Sequence, residues 1–361
     1  MTGIADTTPH RHIECLPDPA VREDVRAFVL RVGALIADSV SRVGSFLPSR
    51  SQELVRNHFT GGKLVRTQAM LLLGRCVGRA DTDRLAQNGT ALELVHRSTL
   101  LVDDMVDRSA TRNDAGAAYV HLGCARVGFL SHLFTAKGAS LCSNDLRPAL
   151  LKAVEQLNLG QLAEQGCSYD VTSFDTVYRD YVRLASLKSG SLGLFALKAA
   201  VEDGNVGSIA ALRLRNVAYH LAAAYQIAND LDDIVPWVQG DEATTPEDVT
   251  NGAPSLPLLL AWQSTAKVER HLRGGCLRWK GQERQLRRFF RTSCAVLTCR
   301  QQIGLEMERA MACIRSSWPD NPYSYAFQIL ASGPWLRSYL GRSLRYFVCD
   351  LPNGSQEVKN D

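Results

Sequence analysis

The chain has 361 residues, 45% hydrophobic and 22% charged, an ordinary globular composition that allows one large domain or two. A net charge of +4 makes no case for a nucleic-acid partner. No uninterrupted apolar run approaches the roughly 20 residues of a membrane span.

Taken in order, residues 1–19 lack the apolar core of a signal peptide and read as a disordered lead-in. From 20 to 46, Val21, Val25, Phe28, Val29, Val32, Leu35 and Ile36 recur at helical spacing, and Leu47-Pro48 ends the run. Residues 51–59 form a short amphipathic turn. Gly61-Gly62 then breaks the helix before Lys63 and Arg66. The stretch 65–77 reads as a buried helix, 82–107 as a long helix and 108–120 as a polar loop. Helices follow at 121–141 and 147–167. In 172–201, TSFD supplies a cap and Lys188-Ser189-Gly190 interrupts the middle. A long helix covers 206–235 and ends in YQIANDLDDIV; 236–254 is loop-like, with Pro and Gly, before SLPLLLAW restarts a helix. Residues 281–316 and 323–347 read as two more, and 348–361 as a disordered tail. No segment needs a strand, so the expected fold is all-α, a single large helical bundle of ten or more helices around a central cavity, spanning 20–347. The basic run 267–300 reads as a solvated face. The ten cysteines form no CxxC, which argues against a zinc site and fits free thiols in a reducing cytoplasmic setting. There is no GxSxG, P-loop or dinucleotide fingerprint.

Chemistry concentrates in ELVHRSTLLVDDMVDRSATR, residues 93–112. On a helix, Asp103 and Asp107 lie one turn apart, about 5.4 Å along the axis. His96 and Thr99 project from nearly the same face. Two carboxylates ending an apolar helix are costly to bury unpaired, and a hard divalent cation is their natural partner. Magnesium is commonly held by one or two carboxylates plus substrate phosphates. Asn229, Asp230, Asp232 and Asp233 form a second oxygen-rich turn, so two long helices each carry acidic groups near a C-terminal end. Lys63, Arg66, Arg112 and Lys188 sit beside glycines or polar loops. Carboxylates, metals and cations together imply an anion at the centre, and a diphosphate suits it.

These blocks resemble the trans-polyprenyl diphosphate synthase family. GGKLVRT is similar to the family's GGKRxRP, ELVHRSTLLVDDMVD to its ExxHxxSLxHDDxxD, Lys188-Ser189 to its Lys-Thr pair, YQIANDLDD to its FQIxDDxxD and GAPSLP to its GKxTLP. They occur in the family's order across roughly residues 50–260. The resemblance implies the isoprenoid synthase fold, Mg2+ and an allylic prenyl diphosphate bound through metal on Asp103 and Asp107. It implies that Arg112 and Lys188 bind that diphosphate, with Ser189 and Gln226 beside it, and that Lys63, Arg66 and His96 hold isopentenyl diphosphate. Asn229, Asp230 and Asp233 would carry the third magnesium, and a homodimer is expected. The chain departs from the family at Leu64, Asn113, Asn229 and Ala253. Asn113 removes a cation, and Asn229 offers a neutral oxygen.

The resemblance implies chain elongation to a geranylgeranyl-length or longer prenyl diphosphate. A terpene cyclase on the same fold is the alternative, with Arg183 and Arg345-Tyr346 as sensors of diphosphate, although Trp237 stands where cyclases carry a glutamate. A non-catalytic partner subunit is the third. The hydrocarbon tail is expected to run along the helix before Asp103, past Ser98, Thr99 and Val95, none of which is aromatic.

Overall fold

The computed structural model describes residues 11–112, 115–166, 168–170, 173–202, 208–240, 245–265, 271–273 and 283–333. Local chemistry starts several of its helices. The Asp18 carboxylate accepts from the Ala20 and Val21 amides at 2.8 and 3.3 Å, and Pro19 takes the first turn of α2 (Pro19–Gly44). A short α1 (Arg11–Glu14) precedes it, and Ile13 and Leu16 are 0% and 2% exposed. The lead-in expected to be disordered therefore packs into the core from residue 13 onward, because it carries apolar side chains that α2 can cover.

Next come α3 (Ser49–Phe59), α4 (Val65–Cys76) and α5 (Thr82–Asp107). Asp81 caps α5 through the Arg84 amide at 2.9 Å. The expected helix from 121 splits at Gly123 into α6 (Ala118–Leu122) and α7 (Cys124–Leu141), followed by α8 (Arg147–Gly166). Ser173 and Thr176 bond reciprocally at the start of α9 (Phe174–Ala185), as the TSFD signal predicts. Ser186–Gly190 forms a π turn, and the helix resumes as α10 (Ser191–Val201). The helix α11 (Ser208–Gln239) runs past its expected end and contains Pro236. The stretch expected to be a loop holds α12 (Glu247–Asn251) before α13 (Leu256–Thr265). The long expected helix from 281 is two, α14 (Glu283–Thr292) and α15 (Ala295–Ser317), and α16 (Pro322–Ala331) follows a cap at Asn321.

Two short antiparallel pairs, Thr111–Arg112 with Ala115–Gly116 and Ser168–Asp170 with His271–Arg273, are the strands among the described residues. The tail 348–361 and the second half of the helix expected at 323–347 lie outside the described residues. Phe174–Val201 is a continuous helical run long and apolar enough to cross a membrane by length and composition, and 56% of its most apolar window is buried inside the bundle.

The core is built around α5, which packs against α2, α4, α7 and α10 and is buried on most of its circumference, polar Asn88, Glu93 and Arg97 included. A second layer pairs α11 with α15. Arg75 on α4 forks onto both Asp24 oxygens on α2, at 2.7 and 2.9 Å, and Tyr323 on α16 donates to the same carboxylate at 3.2 Å. Of the described cysteines, all free, Cys142 and Cys299 are buried and Cys15, Cys124 and Cys294 are exposed.

Candidate active site

The end of α5 presents its three aspartates on two faces: Asp103 and Asp107, four residues apart, lie within about 40° of each other, and Asp104 lies about 100° away from Asp103. Asp107 is exposed. Asp104 turns into the protein, 2% exposed, and Arg112 donates from Nε to both of its oxygens at 2.7 Å and from Nη2 to Oδ1. Arg112, expected to hold diphosphate, is thus committed to a buried carboxylate that stabilises the turn after α5.

Asp103 points across to α8, where Gln161 Nε2 donates to it. Burial pushes the Asp103 carboxyl up to about 6, against the opposing pull of Lys188 and Gln161, and Asp107 adds to the rise. Lys188, on the π turn, pairs with Glu164 of α8. Burial alone would favour loss of its proton, but Glu164, Asp103 and Asp107 outweigh it and hold its pKa above the usual lysine value. The turn comes this close because α8 carries Gly160 there; a Cβ would meet Lys188 Cγ at 2.9 Å.

The second acidic cluster also divides. Asp230 is 4% exposed and its oxygens are occupied: Oδ2 accepts from Tyr181 Oη at 2.8 Å and the Leu256 amide at 2.9 Å, and Oδ1 from Gln226 Nε2 at 3.1 Å. Asp230, expected on a metal, instead ties α9 and α13 to α11. Burial and the neighbouring Asp248 raise its pKa. Gln226 also accepts from Ser189 Oγ at 3.0 Å. Asn229, one residue earlier, is exposed and lines a cavity, and Asp233 is exposed one turn on.

That cavity, of about 250 Å3, lies between α4, α10, α11 and α16. Lys63, Arg66, Ser189 and Asn229 supply polar groups; Ala69, Gly193, Leu197, Ala222, Phe327 and Leu330 supply apolar wall. Arg66 Nη1 donates to His96 Nε2 at 2.9 Å. Burial, then Arg66 and Arg97, hold His96 well below the usual histidine pKa, so His96 is neutral with its proton on Nδ1 and orients the guanidinium.

Ser98 and Val95 are both 0% exposed. Ser98 Oγ bonds to Thr135 Oγ1 of α7 at 2.8 Å, and Thr99 Oγ1 donates to the His96 carbonyl at 2.7 Å. The residues expected to line a tunnel therefore include two packed against α7, and none of the three borders the cavity described above. Asn113 and Arg345-Tyr346 lie outside the described residues. Arg183 is exposed, and Trp237 is buried at 1% beneath Arg287, whose Cζ is 4.7 Å from its ring centre.

Gln161, Glu164, Tyr181 and Asp248 were not anticipated from the sequence. Asp248, with a pKa raised first by burial, lies close enough to Asp230, Glu164, Lys188 and Asp107 to feel their charges. A weak signal existed for two of them: Gln161 and Glu164 lie three apart on α8, one and four residues after Gly160. Among the described residues, no three His, Cys, Asp or Glu side chains form a ready-made metal cage. The donors present are hard oxygens, which suit magnesium or calcium rather than a softer metal.

The chain is similar to known proteins over much of its length. The decaprenyl-diphosphate synthase of Dictyostelium discoideum is 24% identical over 69% of this chain, which spans 56% of that protein's length. The nonaprenyl diphosphate synthase of Mycobacterium tuberculosis is 28% identical over 68% of this chain and 72% of its own. The polyprenyl synthase of Caulobacter crescentus, solved with calcium and isoprenyl diphosphate, superposes with a TM-score of 0.69 at 21% identity, covering 90% of this chain and 97% of that one. The profile described as polyprenyl synthetase matches residues 49–290, and the chain belongs to that family.

Proposed function

We propose that this protein is a magnesium-dependent trans-prenyltransferase that ionises an allylic prenyl diphosphate and condenses it head-to-tail with isopentenyl diphosphate. The observation that carries this is the π turn. It directs Lys188 toward Asp103 and Asp107 while its neighbour Ser189 lines the apolar cavity with Lys63, Arg66 and Asn229. Carboxylates, cations and hydrocarbon space thereby meet at one place.

Asp103 and Asp107 would hold the metal, with Asn229 and Asp233 contributing from α11. Magnesium bound there supplies Lewis-acid stabilisation of the departing diphosphate. Lys188, kept charged by Glu164, neutralises the same leaving group. Lys63 and Arg66 hold the second diphosphate, with neutral His96 fixing Arg66. The apolar walls exclude water, which would quench an allylic cation. A product of geranylgeranyl length or longer is supported by the small residues of the cavity wall, Ala69, Gly193 and Ala222. The exposed Phe129 and Leu133 of α7 and the exposed Leu151, Leu159 and Leu162 of α8 support a homodimer.

Cyclisation of the allylic substrate alone is the second reading, favoured by Asn229 on the cavity wall. The buried Trp237 weighs against it, since it leaves no carboxylate there. Incubation of geranyl, farnesyl and geranylgeranyl diphosphates with magnesium, with and without isopentenyl diphosphate, separates the two. A longer diphosphate made only with the second substrate supports condensation; a hydrocarbon made without it overturns condensation.

A further inference from the structure

The loop between α3 and α4, residues 60–64, carries Lys63 and leads into Arg66. Its backbone is unusual. Gly62 has φ +81°, and Leu64, a bulky residue, has φ 48° at the start of α4. A left-handed leucine persists only where its surroundings over-determine it. Just before it in the chain, the loop meets Arg97 of α5, which the preceding mechanism does not use, at Gly61 and Gly62.

Arg97 is 7% exposed. Its Nη2 donates to the Gly61 carbonyl and its Nη1 to the His58 carbonyl at 3.3 Å. In return, His58 Nε2 bonds to the Arg97 carbonyl at 2.9 Å, so the two segments clamp each other. On the far side, Arg97 Nε lies 3.7 Å from Glu93 Oε2, and Thr67 of α4 donates to the other Glu93 oxygen at 2.8 Å. The guanidinium therefore occupies the corner where the end of α3, the loop and α5 meet. A Cβ at Gly62 would stand 3.0 Å from Nη2.

We propose that Arg97 is a positioning residue. Its planar fork holds the Gly61 and His58 carbonyls and so fixes the strained loop that sets Lys63 and Arg66 toward an anion. The assignment rests on the reading of Lys63 and Arg66 as a diphosphate site. A fork is required because two carbonyls on neighbouring turns must be met at once by rigidly spaced donors, which an ammonium on a flexible stem does not reproduce.

The test uses the full chain, Arg97→Lys and Arg97→Gln. Three quantities are measured: hydrogen exchange of the peptide spanning 57–66 without ligand, calorimetric affinity for inorganic pyrophosphate without metal, and KM for each substrate. The expected result in Arg97→Lys is at least tenfold faster exchange in the loop, with α4 and α5 unchanged. Pyrophosphate affinity falls at least tenfold, and KM for isopentenyl diphosphate rises while KM for the allylic substrate stays within twofold. Arg97→Gln shows the larger effect on all three; if it does not fold, Arg97→Lys alone decides. Unchanged loop exchange in a folded Arg97→Lys overturns the positioning role whether or not pyrophosphate binds. Wild-type protein that protects the loop yet binds no pyrophosphate, with the lysine variant still loosening the loop, overturns the diphosphate reading and leaves the clamp standing.

Discussion

Replacing Ser98 by phenylalanine distinguishes a tunnel along α5 from a sealed helix contact. Ser98 has no exposed surface, and its hydroxyl bonds to the Val95 carbonyl at 2.7 Å and to Thr135 of α7 at 2.8 Å. One turn further on, α7 comes so close that a Cβ at Gly138 would lie 2.8 Å from the Ala91 carbonyl and 2.9 Å from Val95. A benzyl group has no room there. Overpacking costs about 1–3 kcal/mol, and the lost Thr135 partner about 1 kcal/mol more. At about 2.1 cal/mol/K of unfolding entropy per residue, a chain of 361 residues shifts by about 1.3 °C per kcal/mol, so the melting temperature should fall by about 3–5 °C, with an unchanged distribution of product lengths. Gly193→Phe is the counterpart. A Cβ at Gly193 meets nothing within 4 Å, and the residue lines the cavity. That variant should keep its melting temperature and lose hydrocarbon capacity, seen as shorter products or lower turnover. Shorter products from Ser98→Phe at an unchanged melting temperature would refute this reasoning and restore the tunnel beside α7.

Asn229→Asp should shift the magnesium titration of activity to lower concentration, since a charged oxygen replaces a neutral one at a hard-cation site; an unchanged titration removes residue 229 from the metal site. Asp24→Asn should destabilise the fold by about 1–3 kcal/mol at neutral pH, measured by denaturant unfolding. The hydrogen bond and charge of Arg75 hold the Asp24 carboxyl below its ordinary value, against the effect of burial. A carboxylate with a depressed folded pKa stabilises above its unfolded value and loses that contribution as pH falls through the folded one. The gap between wild type and variant should therefore close in acid and stay constant from neutral pH upward.

Helix positions were readable where local chemistry decides them. Ser173 caps where TSFD placed a cap, and α5 spans the expected 82–107, started by the Asp81 carboxylate and ended at Arg108, whose φ is 59°. Side-chain direction was not readable in the same way. Asn229 and Asp230 are adjacent, yet one lines the cavity and the other is buried under Tyr181, because α13 happens to present the Leu256 amide there. Arg112 looked free until the turn after α5 folded it back onto Asp104. The Lys188–Glu164 pair joins residues 24 apart and depends on how α8 meets the π turn, which no periodicity encodes. Pro236 was expected to end α11 a turn early, but the helix holds through it near its C-terminus.

The central claim is that Asp103 and Asp107 hold the metal that drives ionisation. The direct measurement is pyrophosphate release from farnesyl diphosphate and isopentenyl diphosphate across a magnesium titration, for wild type, Asp103→Ala and Asp107→Ala, with circular dichroism on each. The account predicts magnesium-dependent release by the wild type and a loss of at least about 100-fold in each folded variant, which corresponds to about 2.7 kcal/mol of barrier. Folded variants that release pyrophosphate at near wild-type rates would contradict it.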